Sequence, residues 1–423
     1  MNKIEKAVYD LLKSSPAVKH VVRNAYQMVF DLLPTPANRS IASIEAKEGY
    51  FFGFHDRSPF SHDMSRLLAN HSELPIRMPN KGEGLEVGYF DFADGHLGTF
   101  HVLDTSFAWN WHKGCRLQWV DDNRVAFNTE HDGALQCCLL EVSTGEKHYL
   151  PHAIDTVSED GRLATNFSYE RLNVLMPGYG YPYCHDGGYL EQKAPAETGL
   201  FLIDMSTGKR RLLLSLEQLA KESDSPLAAL ESHFVTHSEF SKDGRYVSFM
   251  HRHIGQDYRK RTSRLIIYDL QTNEHFALPT TGMVSHYCWN NLNQIVCYCS
   301  VAEGDAHVLF DIPSGKYRPV LLNKLNEDGH QSMVNDSIFV TDTYPDARRM
   351  ATLWAVDMEH DVRTELAYLH SPKQFQTQDE HRHIACDLHP RVSPDGHYVC
   401  FDSVHTGKRA LCVMPLVLKN EPR

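Results

Sequence analysis

The chain has 423 residues, 42% hydrophobic and 23% charged, the balance of an ordinary water-soluble globular protein. Its net charge of −12 argues against nucleic acid as a partner, because binding phosphate requires a basic face. No apolar run reaches the roughly 18 residues a membrane-spanning helix needs.

Met1–Val8 lacks the apolar core and small-residue cleavage site of a signal peptide, so the expected location is cytoplasmic. Residues 3–33 follow a helical period. Ile4, Val8, Leu11 and Leu12 share one face, and Val21, Val22, Tyr26, Val29 and Leu32 continue it after Pro16. Pro34 and Pro36 close the segment. We expect an N-terminal helical arm over residues 1–40, packed on the side of the fold, joining two copies in a homo-oligomer, or making a peripheral membrane contact.

From residue 41 to 423 the pattern is strands. Seven segments repeat a tight polar turn followed by an apolar strand: Ser61–Ala69, Val120–Phe127, Ser158–Ala164, Ser241–Phe249, Asn290–Tyr298, Val334–Val340 and Ser393–Phe401. Self-similarity at roughly 40 to 60 residues means a radial or stacked array of β-units. Asp-Gly supplies the positive backbone angles of a hairpin turn, and the alternating residues behind it read as strand. Several units end in a second hairpin on Thr-Gly, Thr-Asn or Ser-Gly, as in Leu140–Leu150, Leu202–Leu212, Ile267–Phe276 and Phe310–Tyr317. The expected fold is all-β, a seven-bladed β-propeller.

Two excursions interrupt the repeat. Pro177–Gly188, rich in Gly and Tyr, is long for a blade connection and is expected to shape a binding mouth. Leu369–Cys386 is polar and holds His381 and His383. The ten cysteines sit mostly inside strand patterns and form no CxxC pair, so they read as small buried hydrophobes.

Histidine occurs 26 times. His237, His286, His330 and His389 each stand shortly before a turn, so successive blades would aim imidazoles at one axis. His286, His330 and His389 are the expected metal ligands, for Mn2+ or Zn2+ ahead of Ca2+. The bland alternative is a hydrogen-bonded polar ring that closes the channel. His112 and His131 flank one expected strand, Leu117 to Phe127. Two imidazoles near an Arg suit abstraction of a proton next to a carboxylate.

The segments Trp109–Cys115, Pro177–Tyr181, Ser285–Trp289, Asp328–Ser332 and Cys386–Ser403 resemble the oligogalacturonate lyase and ulvan lyase types of propeller, over roughly residues 45 to 415. They also resemble related proteins of bacterial surface-polysaccharide gene clusters. The resemblance implies β-elimination on an anionic, uronate-containing oligo- or polysaccharide. It implies that His112 and His131 act near C5, that Arg252 neutralises the carboxylate, and that His237 stands at the site. It also implies that His330 and His389 are metal ligands. Where the oligogalacturonate lyases carry a further metal-ligating histidine, this chain has Asp387. Tyr179 is the candidate general acid; Trp109, Trp111, Tyr181 and Arg116 are candidates for holding substrate. A non-catalytic glycan- or protein-binding propeller and a uronate C5 epimerase are the alternative readings.

Overall fold

The structure is a computed structural model that describes residues 30, 33–255, 261–377 and 383–418. The N-terminal helical arm lies, apart from Phe30 and Leu33, outside the described residues. From Arg39 onward the chain forms seven antiparallel sheets, the blades of a β-propeller.

Blade 1 runs from Tyr50–Phe51 to His96–Ser106 and blade 2 from Gln118–Trp119 to Lys147–Leu150. Blade 3 has three strands, Leu163–Asn166, Gly199–Asp204 and Arg210–Ser215; its innermost strand is reduced to one bridge, Val157 to Ala164. Blade 4 spans Ser232–Phe240 to His275–Ala277, and blade 5 spans Val284–Trp289 to Lys316–Val320. Blade 6 spans Ser332–Met333 to Val362–His370, with Arg39–Ser40 added as a fifth strand. Blade 7 joins the two ends of the chain. Arg391–Val392, Tyr398–Ser403 and Ala410–Pro415 are completed by Glu45–Glu48, with Glu45 opposite Val413. That exchange closes the ring and removes the edge a linear array would expose.

Four of the seven repeated turns, those that open on Ser-x-Asp, are built from one set of bonds. The Ser158, Ser241 and Ser393 hydroxyls each donate to the Asp two residues on at 2.6 Å, and Ser61 does so to Asp63 at 2.7 Å. Each hydroxyl oxygen then accepts the N–H that opens the next strand, at 2.9–3.0 Å. Gly161, Gly244 and Gly396 follow with φ of 70°, 72° and 75°, where a side chain would be strained.

Because blades pack face to face, strands are buried on both sides. Tyr246–Ile254 is buried along its whole length. Leu265, Ile267, Ile295 and Val308 fill the contact between blades 4 and 5. Each such side chain stabilises the fold by about 1.5–3 kcal/mol. All ten cysteines are buried and free, as the strand reading expected.

Two short helices leave blade 3: α1, Tyr169–Leu175, and α2, Leu216–Lys221, capped by the side chains of Ser168 and Ser215. The loop after α1 carries Tyr179 over the channel. Among the described residues, no helix is long and apolar enough to cross a membrane.

Candidate functional site

The innermost strands are interrupted or bulged where they line the channel, and those irregularities carry the polar side chains. Blade 4 shifts register between Thr236 and Glu239, and blade 5 between Val284 and Tyr287. Such bulges re-aim side chains, here those of His237 and His286. His237 has φ 52° and His389 φ 45°, conformations no regular strand holds. His237, His286, His330 and His389 each lie four positions ahead of the next turn, which starts at Ser241, Asn290, Val334 and Ser393. The common spacing explains why four blades deliver imidazoles to one level.

Phe54 stands at the centre. Its ring lies 4.6–6.0 Å, centroid to centroid, from His55, His112, His237, His286, His330 and His389. His286 and His330 are 4.0 Å apart, His330 and His389 4.2 Å, and His112 and His389 4.8 Å. Blade 3 supplies no imidazole; its Asp155 accepts from Lys113 at 3.0 Å, both fully buried.

In five of the six histidines Nδ1 is held by a neighbour. His330 Nδ1 pairs with Asp342 at 2.9 Å, and His389 Nδ1 donates to the Gly53 carbonyl at 2.7 Å. His237 meets Thr236 Oγ1 at 2.8 Å, His55 the Gln331 carbonyl at 3.0 Å, and His286 Asp328 at 3.3 Å. The Nε2 atoms of His237, His330 and His389, and both ring nitrogens of His112, are buried without a hydrogen-bond partner. A fixed Nδ1 beside an open Nε2 is how proteins prepare imidazole as a ligand or base.

Among the described residues, one group of ligand atoms is close enough to hold an ion together: His112, Asp387 and His389, all within 4.8 Å of one another. The sequence had put His286 and His330 beside His389 as ligands. The structure keeps His330 next to His389 and His286 next to His330, but the tight triad joins His389 to His112 and Asp387. The residue that departs from the lyase pattern, Asp387, is therefore inside the cluster.

Burial pushes His55, His112, His237, His286 and His389 well below the ordinary imidazole value, so they are neutral near pH 7. At His330 burial acts the same way but is outweighed by the Asp342 carboxylate, which raises it. Burial also raises the Asp387 carboxyl, to about 6.

Tyr179 packs on the cluster, 4.2 Å from His112, 5.1 Å from His383 and 5.8 Å from His237. Gly180 makes that presentation feasible, since a Cβ there would stand 2.3 Å from the Tyr169 carbonyl. Arg252 is buried beside these groups. It donates to the Val284 carbonyl at 3.0 Å and to Met176 Sδ at 3.3 Å, and its Nε has no partner. No carboxylate among the described residues forms an ion pair with it.

The other expected site residues lie elsewhere. His131 sits on the Asp132–Gly133 turn of blade 2, stacked on Tyr149 at 3.7 Å and partly exposed, with no contact to the ring of histidines. A hairpin rather than one strand separates it from His112: Gln118 pairs with Ala126 and the Asn128 N–H donates to the Cys115 carbonyl at 2.8 Å, while His131 lies beyond that pairing at the end of Arg124–His131. Trp109 and Trp111 are core residues whose indole N–H groups donate to the Glu83 and Arg77 carbonyls. Tyr181 is stacked on Tyr169 at 4.4 Å and accepts from Asn128 at 2.9 Å. Arg116 forms a bidentate pair with Asp56 at 2.8 and 2.7 Å, buried on both sides. The polar groups of these four are engaged within the walls, while Trp111 and Trp109 also line cavities of about 420 and 10 Å3. Phe54, His55 and Asp342 were not anticipated. His55 lies six positions ahead of the Ser61 turn rather than four, so the common spacing did not mark it.

No protein-family model matches the sequence, and no curated protein does either. Among solved structures the chain is similar to TolB from Acinetobacter baumannii, at 14% identity and a TM-score of 0.39, over 73% of this chain. That match spans 64% of the TolB chain. It is similar to an oligogalacturonate lyase in complex with manganese, at 13% identity and a TM-score of 0.44, over 91% of this chain and 99% of that one. It is also similar to the tricorn protease, at 12% identity and a TM-score of 0.50, over 91% of this chain and 34% of that one. At 12% identity the likeness to the tricorn protease speaks to the fold alone.

Proposed function

We propose that the protein is a metal-dependent lyase that cleaves a uronate-containing glycan by β-elimination. The observation that carries this reading is a buried Arg252, unpaired by any described carboxylate, beside imidazoles whose Nε2 atoms are open. A uronate carboxylate would satisfy the guanidinium, and a neutral imidazole would take the proton next to that carboxylate.

His112, Asp387 and His389 fit a divalent ion, because their donor atoms converge and buried nitrogens among them have no other partner. Imidazole with carboxylate suits Mn2+ or Zn2+, and manganese is the first ion to test. When bound, the ion would withdraw charge from the substrate carboxylate and make the neighbouring C–H more acidic. Arg252 binds and orients that carboxylate. His237, held at Nδ1 by Thr236, takes the C5 proton at Nε2. The Tyr179 hydroxyl gives a proton to the departing glycosidic oxygen. Phe54 and the packed blades exclude water from one side.

The test is to compare binding and turnover in His237→Ala. The lyase reading expects glycan binding to survive while turnover falls by about 100-fold or more. A protein that binds the glycan with no turnover in any form, with or without metal, would instead be a binding propeller.

A further inference from the structure

The channel has a second mouth, on the face of the Ser-x-Asp turns. It is a cavity of about 520 Å3 with residues of all seven blades in its wall. Phe54 and His55 separate it from the histidine cluster; His55 lines this cavity while its ring packs on Phe54.

Most charges here are paired. Lys242 and Glu159 meet at 2.8 Å, and Asp56 is held by Arg116. Two groups in the wall are not. Arg57 makes one hydrogen bond, to Thr156 Oγ1 at 3.3 Å, and no ion pair among the described residues. The Glu239 carboxyl makes neither a hydrogen bond nor an ion pair among them, and only its backbone carbonyl is engaged, by Ser248.

We propose that this mouth is a binding site for a small organic carboxylate, held by the Arg57 guanidinium and the Glu239 side chain. A guanidinium offers a planar fork of donors matched to a carboxylate. Burial, reinforced by the nearby Asp56 charge, raises Glu239 well above the ordinary carboxyl value against the opposing Lys242 and Arg57 charges, which favours the protonated form that can donate. A neutral sugar would leave Arg57 unpaired, and a cation would be repelled by it. Phe60, Trp119, Trp289 and Met333 in the same wall give an organic body apolar surface to cover, which an inorganic anion cannot use.

The test is calorimetric titration of the full chain with acetate and glucuronate, with inorganic phosphate as the comparison. The site predicts binding of both carboxylates, phosphate weaker than either, and no change in His112→Ala. Arg57→Ala and Glu239→Leu should weaken binding about tenfold or more, and Glu239→Gln, which keeps a donor, about threefold or less. Arg57→Gln replaces Arg57→Ala if that variant unfolds. Absence of carboxylate binding, or equal phosphate binding, overturns the proposal. So does unchanged affinity in the Arg57 variant, or binding lost in His112→Ala, which would place the ligand at the first mouth.

Discussion

Asp342 accepts from His330 twice, from its backbone N–H at 2.7 Å and from its ring Nδ1 at 2.9 Å. Its other oxygen accepts the backbone N–H of His389 at 2.9 Å. One carboxylate on a blade 6 strand thus fixes a histidine of its own blade and one of blade 7. Asp342→Ala removes that support and leaves buried N–H groups unpaired. We expect manganese affinity to fall about 10–100-fold and stability by about 1–3 kcal/mol. Titration calorimetry and thermal unfolding measure the two separately.

Phe54 touches six imidazoles and has almost no exposed surface. Phe54→Ala would open a cavity at the axis and cost about 3–5 kcal/mol. Denaturant unfolding would show it. Phe54→Leu, which keeps most of the volume, should lose much less.

Arg116→Ala should unfold the protein rather than weaken substrate binding. Arg116 pairs with Asp56 and also reaches Asp155 at 3.2 Å, all buried. Removing one partner of a buried ion pair costs about 3–5 kcal/mol. Thermal unfolding of the variant decides between this wall role and a substrate contact.

Blade 4 carries a separate acid-sensitive element. His233 Nε2 donates to the Ala228 carbonyl at 2.7 Å, so its Nδ1 must accept from His251 Nε2 at 2.8 Å. His251 Nδ1 in turn accepts from Arg264 at 2.9 Å. Both rings must stay neutral. Burial lowers His233 to about 4 and His251 well below the ordinary value. With folded values below the unfolded one, the unfolded chain binds more protons in acid. This stability is complete above about pH 6.5 and is lost as pH falls toward 4. Unfolding followed at pH 7.5, 6 and 5 should show the decline, shallower in His233→Gln.

What could be read from the sequence followed the chain's local rules. Each repeated turn is a local set of hydrogen bonds, four of them of the Ser-x-Asp kind, so seven turns announced seven blades. The four histidines ahead of those turns were visible for the same reason. The closing strand Glu45–Glu48 was not, because its partner Ala410–Pro415 lies at the far end of the chain. Trp109, Trp111 and Tyr181 look alike as core or as sugar platform until their polar atoms are seen to be satisfied by the backbone and by Asn128. Phe54 was hidden in a segment that reads as plain strand. Its role comes from an interruption of the innermost strand that only the assembled ring imposes.

The most direct measurement is ultraviolet absorbance of the unsaturated uronate, followed while the protein is incubated with uronate glycans, with manganese and with a chelator. The account predicts a rise with manganese that chelation abolishes and that is lost in both His237→Ala and Arg252→Ala. A flat trace across the glycans, or a rise indifferent to the chelator and to both substitutions, would contradict it.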